Sequence, residues 1–286
     1  MKRYRSLTSE EKRIIEEKHT EYPQSGSFYR FHGLGVYVCK RCDAPLYLSS
    51  SKFSQIKECG WPSFEEEIDG AVLRVPDADG IRTEIICNRC QGHLGHVFTG
   101  EHFTNTNTRH CVNSLSLRFI PALDHEGHHK AIFAGGCFWG VEYFMKQHPG
   151  VISVISGYIG GEVIAPTYEE VCTGQTGHLE AVQITFDLKK TSFEMLLKDF
   201  LEIHNPFQTD GQGPDIGTQY TSAVFYLTKQ QCNLAHKLIS LLENKNQKVA
   251  TKILPASTFY PAENYHQNYY EKNKKVPYCH MRVKRF

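Results

Sequence analysis

The spacing of apolar and polar positions changes character at a polar stretch, residues 121–130. Before it, the chain reads as short apolar strands: Val36–Lys40, Pro45–Leu48, Ala71–Val75, Thr83–Cys87 and Leu115–Ile120. Asp69-Gly70 and Asp79-Gly80 lie between or beside these runs as turn signals. No long helical period interrupts them, so a small, mainly antiparallel β domain is predicted. Pro121 to Lys130 has no periodicity and reads as a linker. Beyond it strands and helices alternate. Strands are predicted at Lys130–Ala134, Ile152–Ser156, Glu180–Phe186, Ser222–Leu227 and Lys248–Leu254, and helices at Phe138–Gln147, Ser192–Ile203 and Lys229–Glu243. The order β-α-β, β-α-β, α-β is that of an α+β layer fold beginning with a ferredoxin-like unit.

The length agrees with two domains, 1–120 and 131–286, since 286 residues exceed the roughly 100–200 of one ordinary domain. A hydrophobic content of 40% supplies two cores. The formal charge of +1 gives no long-range field for nucleic acid or an anionic membrane. No run of about 18 apolar residues is present to span a membrane. Residues 1–22 mix both charge signs without an apolar centre, so they do not read as a signal peptide. Thr8-x-x-Glu11 ahead of Ile14 and Ile15 reads as a capping box opening a short helix. A cytoplasmic protein is predicted, in which ten cysteines serve as metal ligands or redox catalysts.

Four of those cysteines form two knuckles, Cys39-Lys-Arg-Cys42 and Cys87-Asn-Arg-Cys90. Paired C-x-x-C knuckles close the tetrahedral shell of one structural zinc ion. The alternatives are two unrelated pairs, or a thioredoxin-like dithiol, which leans on a βαβ context missing here. A zinc ribbon also suggests nucleic-acid binding, but no basic stripe accompanies the knuckles.

Two further cysteines have reactive surroundings. Cys111 has Arg109 two residues before it, Asn113 two after it, and His93 and His96 upstream. In an extended segment Arg109, Cys111 and Asn113 share one face, and a cation beside a thiol favours the thiolate. Cys137, in Gly135-Gly136-Cys137-Phe138-Trp139-Gly140, follows a strand and opens a helix, whose N-terminal N–H groups favour an anion. Phe138 and Trp139 offer an apolar surface for a methyl group. A dinucleotide-binding glycine turn competes, but its G-x-G-x-x-G order is missing. Cys172 reads as a buried packing cysteine and Cys232 as inert.

Cys59-Gly-Trp61-Pro-Ser-Phe64, His93-Leu-Gly-His96-Val-Phe98 and Arg109-His-Cys111-Val-Asn113 together resemble the B type of methionine sulfoxide reductase, over roughly residues 5–120. The zinc knuckles match its metal-binding branch. That resemblance implies a fold of paired antiparallel sheets, Cys111 as nucleophile, His96 as proton donor and Cys59 as recycling cysteine. It also implies that His93, Arg109 and Asn113 shape the pocket while Trp61 packs on the substrate methyl. His110 stands where tyrosine is more usual.

The hexapeptide at Cys137, Pro166-Thr-Tyr168 through His178-Leu-Glu180, Asp215-Ile-Gly-Thr-Gln-Tyr220 and Phe259 through His266 resemble the A type of the same enzyme, from about 130 to 280. By that resemblance Cys137 attacks, Glu180 protonates the departing oxygen, and Tyr168, Asp215 and Tyr220 hold it. Phe138 and Trp139 receive the methyl, and Cys279 recycles the site from a mobile tail whose usual glycines are replaced by Pro277, Tyr278 and His280. The implied protein is a bifunctional repair enzyme with no organic cofactor. It reduces R-sulfoxide in its first half and S-sulfoxide in its second, on protein-bound or free methionine, through sulfenic acid and disulfide states recycled by thioredoxin. The rival is a zinc-ribbon binding module fused to a redox sensor.

Overall fold

The computed structural model describes residues 2–54, 59–243 and 248–286. They fall into two compact units that divide after Pro121.

In the first unit, helix α1 (Ser9–Ile15) begins at the expected capping box. Thr8 accepts from the Glu11 amide, Glu11 accepts from the Thr8 amide, and Ile14 and Ile15 are buried. Eight strands follow: β1 (Gly35–Cys39), β2 (Pro45–Leu48), β3 (Ser63–Phe64), β4 (Val72–Pro76), β5 (Thr83–Cys87), β6 (His93–Thr99), β7 (Thr108–Val112) and β8 (Leu117–Pro121). They form two antiparallel sheets, β2-β1-β8 and β3-β7-β6-β5-β4. Between them lie Tyr37, Tyr47, Phe64, Ile85 and Leu94, with the Tyr47 and Phe64 rings stacked at 4.3 Å. Strands β6 and β7 carry the candidate residues His93, His96, Arg109 and Cys111. Their polar content hid them from a search for apolar alternation. Leu115, expected in the last strand, lies instead in a 3-10 turn, Ser114–Ser116, that precedes β8.

The second unit contains β9 (His129–Ala134), α2 (Phe138–Met145), β10 (Val151–Ile159), α3 (Tyr168–Cys172), β11 (Leu179–Phe186), α4 (Phe193–Ile203), β12 (Gly211–Gln212), β13 (Asp215–Ile216), β14 (Ala223–Tyr226), α5 (Lys229–Glu243), β15 (Lys252–Pro255), β16 (Tyr260–Pro261) and α6 (Tyr269–Asn273). The main sheet runs β15-β14-β9-β11-β10-β16. Its antiparallel middle, β14-β9-β11-β10, has the strand order of a ferredoxin-like unit. Helix α4 buries Phe193, Leu196, Leu197, Phe200 and Leu201, the face its helical spacing predicts. Phe200 stacks on Phe133 of β9 at 4.7 Å. Residues 124–128 form a turn, and β9 begins directly after it.

These topologies place the cysteines. Cys111 in β7 lies opposite His96 of β6 on one side and Ser63 of β3 on the other. Gly95 permits that approach, because a Cβ there would meet the Cys111 carbonyl oxygen at 2.0 Å. Cys137 caps α2 directly after β9, and Glu180 of β11 lies opposite Tyr158 of β10.

Candidate active sites and metal centre

The two knuckles repeat one local geometry. In each, the residue after the second cysteine (Asp43, Gln91) has a left-handed φ and donates its amide to the carbonyl of the first cysteine. The four sulfurs then converge. Cys39 and Cys90 lie 3.6 Å apart, as do Cys42 and Cys87, and all four sulfurs fall within 4.8 Å of one another. A tetrahedral zinc with bonds of about 2.3 Å requires sulfurs about 3.8 Å apart. The buried cluster fits a structural zinc ion.

Around Cys111 the strand face develops as its sequence suggests, with one addition. Cys59 Sγ lies 3.3 Å from Cys111 Sγ. Cys59 also contacts Ser63 Oγ at 3.2 Å and Arg109 Nη1 at 3.4 Å, and Arg109 is held by both oxygens of Glu101. The hydrogen bond from Cys111, with the Arg109 cation nearby, holds the Cys59 thiol down at about 5. That same bond, followed by burial, pushes the Cys111 thiol up. Sequence reasoning placed Arg109 beside Cys111, and its Nη1 lies 3.4 Å from Cys59 Sγ. Arg109 reaches past Cys111 to Cys59.

A cavity of about 80 Å³ beside Cys111 is lined by Trp61, His96, Phe98 and Asn113. It is small beside the roughly 300–1,000 Å³ of a typical ligand pocket, and suits a side-chain tip. Cys59 lines a different space, a cleft of about 290 Å³ with Arg30, Lys52 and Trp61 on its walls. His96 is hydrogen-bonded to Asp77. His93 does not line the small cavity. It lies behind His96, its Nδ1 2.7 Å from Glu84. Asn113 and Trp61 are tied together through Glu21, whose amide donates to Asn113 Oδ1 and whose carbonyl accepts from Trp61 Nε1. Glu21, Asp77 and Glu101 were missed from sequence, having no motif of their own and acting on residues far along the chain.

In the second unit Cys137 and Cys279 act on each other. Cys279, then burial, then the Glu180 charge push the Cys137 thiol up. Cys279 is lowered to about 6 by Cys137, helped by His280. At the helix N-terminus the first amide, Phe138 N, donates to Glu180 Oε2 at 3.1 Å, while the Trp139 amide acts on Cys137 and lowers its thiol in part. Burial raises Glu180 to about 8, so it is a neutral carboxylic acid near pH 7. Phe138 is buried against Tyr158 and His266. Trp139 stacks on Tyr269 at 3.6 Å and donates to His266. Burial, then the Glu180 charge, raise Tyr220, and burial also raises Tyr168. Asp215 accepts from Tyr278, next to Cys279. Cys172 corrects the sequence reading. It is exposed, because short helix α3 turns Val171 inward and leaves the next position to solvent.

Comparison with known proteins matches these halves separately. A SelR domain matches residues 7–121, and peptide methionine sulfoxide reductase matches residues 129–286. The peptide methionine sulfoxide reductase MsrA of Pasteurella multocida is 51% identical over 153 residues, covering 53% of this chain and 88% of that protein. The corresponding protein of Sulfolobus acidocaldarius is 47% identical over 161 residues, covering 54% and 92%. Among solved structures, reduced Mxr1 from Saccharomyces cerevisiae superposes with a TM-score of 0.53 at 31% identity, covering 57% of this chain and 96% of that one. Among the described residues no helix is long and apolar enough to cross a membrane. With a matched reductase domain over more than half its length and a SelR domain ahead of it, the chain belongs to the peptide methionine sulfoxide reductase family, as a bifunctional oxidoreductase of fused B-type and A-type domains.

Proposed function

We propose that the B-type domain (1–120) reduces methionine R-sulfoxide and the A-type domain (131–286) the S-sulfoxide, with 121–130 between them, in a cytoplasmic enzyme recycled by thioredoxin. The observation that carries this reading is common to both halves. In each half a cysteine, half-buried Cys111 or buried Cys137, works with a second cysteine whose thiol is lowered, beside an acid or imidazole and aromatic side chains.

In the A-type domain neutral Glu180 protonates the sulfoxide oxygen, which Tyr168, Tyr220 and Asp215 hold, while Phe138 and Trp139 take the methyl. As Cys137 attacks the sulfur, its proton passes to the neighbouring Cys279 thiolate. Methionine leaves and Cys137 becomes a sulfenic acid. Cys279 then closes a disulfide with release of water, and an external dithiol opens it. In the B-type domain Cys111 attacks within the small cavity, His96 protonates the oxygen, and Trp61 packs on the methyl. Asn113 lines the cavity, and His93 and Arg109 support it from outside. Cys59 recycles from its wider cleft, where a reductant has separate access. Cys39, Cys42, Cys87 and Cys90 hold one structural zinc.

Turnover of each pure epimer with thioredoxin tests the division of labour. Cys111→Ser should abolish R-sulfoxide reduction and spare S-sulfoxide reduction, and Cys137→Ser the reverse. Loss of both activities from either substitution would refute two independent sites.

A further inference from the structure

We infer that His280 is a positioning residue of the A-type site, fixing Cys279 beside Cys137 and taking its proton when the disulfide closes. This rests on the reading above that Cys279 recycles Cys137.

Geometry sets the tautomer. His280 is 5% exposed, and its Nε2 lies 2.7 Å from the Gly135 carbonyl oxygen. A carbonyl only accepts, so Nε2 carries hydrogen. The other nitrogen, Nδ1, lies 3.1 Å from Cys279 Sγ. In the neutral ring Nδ1 is therefore a lone pair aimed at the thiol, and in the protonated ring a donor aimed at the thiolate.

Room for this ring is built into the reactive motif. A Cβ on Gly140 would lie 2.1 Å from His280 Nδ1, so α2 accepts the imidazole only because residue 140 is glycine. The tail is held on both sides of the pair. Before it, Tyr278 donates to Asp215, and Gln212 Nε2 donates to the Cys279 carbonyl. After it, Arg282 bonds Asp199 and Glu202, the Val283 amide donates to the Glu202 carbonyl, and the Arg285 amide donates to the Glu202 carboxylate. Replacing flexible glycines by Pro277, Tyr278 and His280 thus puts the recycling thiol in place before it is needed.

The groups that face this pair are few. Cys137, Glu180, Asp215, Tyr270 and Tyr278 act on Cys279. His204 faces His280 and is kept neutral by burial, its pKa lowered to about 3, with Arg285 behind it. None of the facing side chains offers Cys279 a base comparable to Nδ1.

In the closing step the Cys279 S–H bond breaks and its proton passes to Nδ1. The Cys279 sulfur forms the S–S bond, and the S–O bond of the Cys137 sulfenic acid breaks. The departing hydroxide takes a proton back from the imidazolium and leaves as water. The oxidant is the sulfenic acid left by sulfoxide reduction, so no other reactant is required.

The test is a single-turnover study of the full chain with S-sulfoxide, following methionine release and disulfide closure separately from pH 6.5 to 8.5. In wild type, closure should be nearly level across this range, because Nδ1 lies 3.1 Å from Cys279 Sγ and takes its proton. In His280→Gln, methionine should still be released in one burst. Closure should follow an ordinary thiol of pKa about 8.5, falling roughly 50-fold between pH 8.5 and 6.5. A level profile in the variant would overturn the role of His280. Absence of any burst from wild type would instead overturn the mechanism beneath it. Should the variant fail to fold, nitrogen-15 spectra of wild type decide the matter: a protonated His280 Nε2 is expected, and a bare Nε2 would refute the proposal.

Discussion

Replacing Glu180 by glutamine should make the A-type domain more stable while disabling it, and the gain should depend on pH in a defined way. Burial raises this carboxyl from 4.5 to about 8. Below pH 4.5 the folded and unfolded chains both hold the proton, and Glu180 carries no ionisation penalty. As pH rises, the unfolded chain ionises first and is favoured by about 1.4 kcal/mol per unit, until the folded carboxyl titrates near 8. The accumulated penalty is about 3 kcal/mol at pH 7 and about 5 kcal/mol above pH 8, from the gap between 4.5 and about 8. Glutamine is nearly isosteric, can accept the Phe138 amide as Glu180 does, and never ionises. Denaturant or thermal unfolding at pH 5, 7 and 8.5 should therefore show a gap between Glu180→Gln and wild type that widens with pH. At pH 7 it should be roughly 6–12 °C in Tm for a domain of this size. S-sulfoxide reduction should fall by about 10²–10⁴-fold, the usual contribution of a general acid. A stability difference that stays constant from pH 5 to 8.5 would mean that Glu180 is not held neutral, and the general-acid argument would fail with it.

Metal analysis should find one zinc per chain, and Cys87→Ser should lose it and strongly destabilise the B-type domain alone; an unchanged melting profile would contradict a structural zinc. Cys59→Ser and Cys279→Ser should each still release one equivalent of methionine at the affected site, while steady thioredoxin-driven turnover there collapses; undiminished turnover would assign recycling elsewhere. Gly140→Ala should displace the His280 ring, which its Cβ would approach to 2.1 Å, and slow disulfide closure much as His280→Gln does; a normal closure rate would show that the ring does not need that space.

What the sequence revealed depended on whether the physical signal was local. Strands such as Thr83–Cys87 and Pro45–Leu48 announced themselves as short apolar runs buried on both faces, and the α5 helix by its helical spacing. The knuckles did too, since a tetrahedral ion needs two cysteines on one turn. Strands β6 and β7 were not legible as strands, because a reactive face substitutes His, Arg and Cys for apolar residues. The supports of the sites were silent. Glu21 joins Trp61 to Asn113 across dozens of residues, and no spacing rule connects them. The surroundings of each dithiol were legible only in part. A cation two residues from Cys111, or a helix start at Cys137, suggests a thiolate there, whereas the fold directs Arg109 to Cys59 and gives the first α2 amide to Glu180. His280 entered only as a departure from a glycine pattern, and its partners, Gly135 and Gly140, lie far away in sequence.

The 3.3 Å separation of Cys59 and Cys111 also bears on how long such an enzyme survives the conditions that call for it. A sulfenic acid is one peroxide encounter from sulfinic acid, which is irreversible for nearly all proteins. Closing the disulfide requires the sulfurs to approach from 3.3 Å to about 2.05 Å, so no rearrangement of the fold intervenes. Groups held in such alignment react as if the partner were present at about 10⁵ M or more, far beyond any concentration a diffusing oxidant reaches. On the mechanism proposed above, a sulfenic acid on Cys111 would thus be removed faster than peroxide can find it. The thiol proposed to return the enzyme to its cycle would also protect it from permanent inactivation.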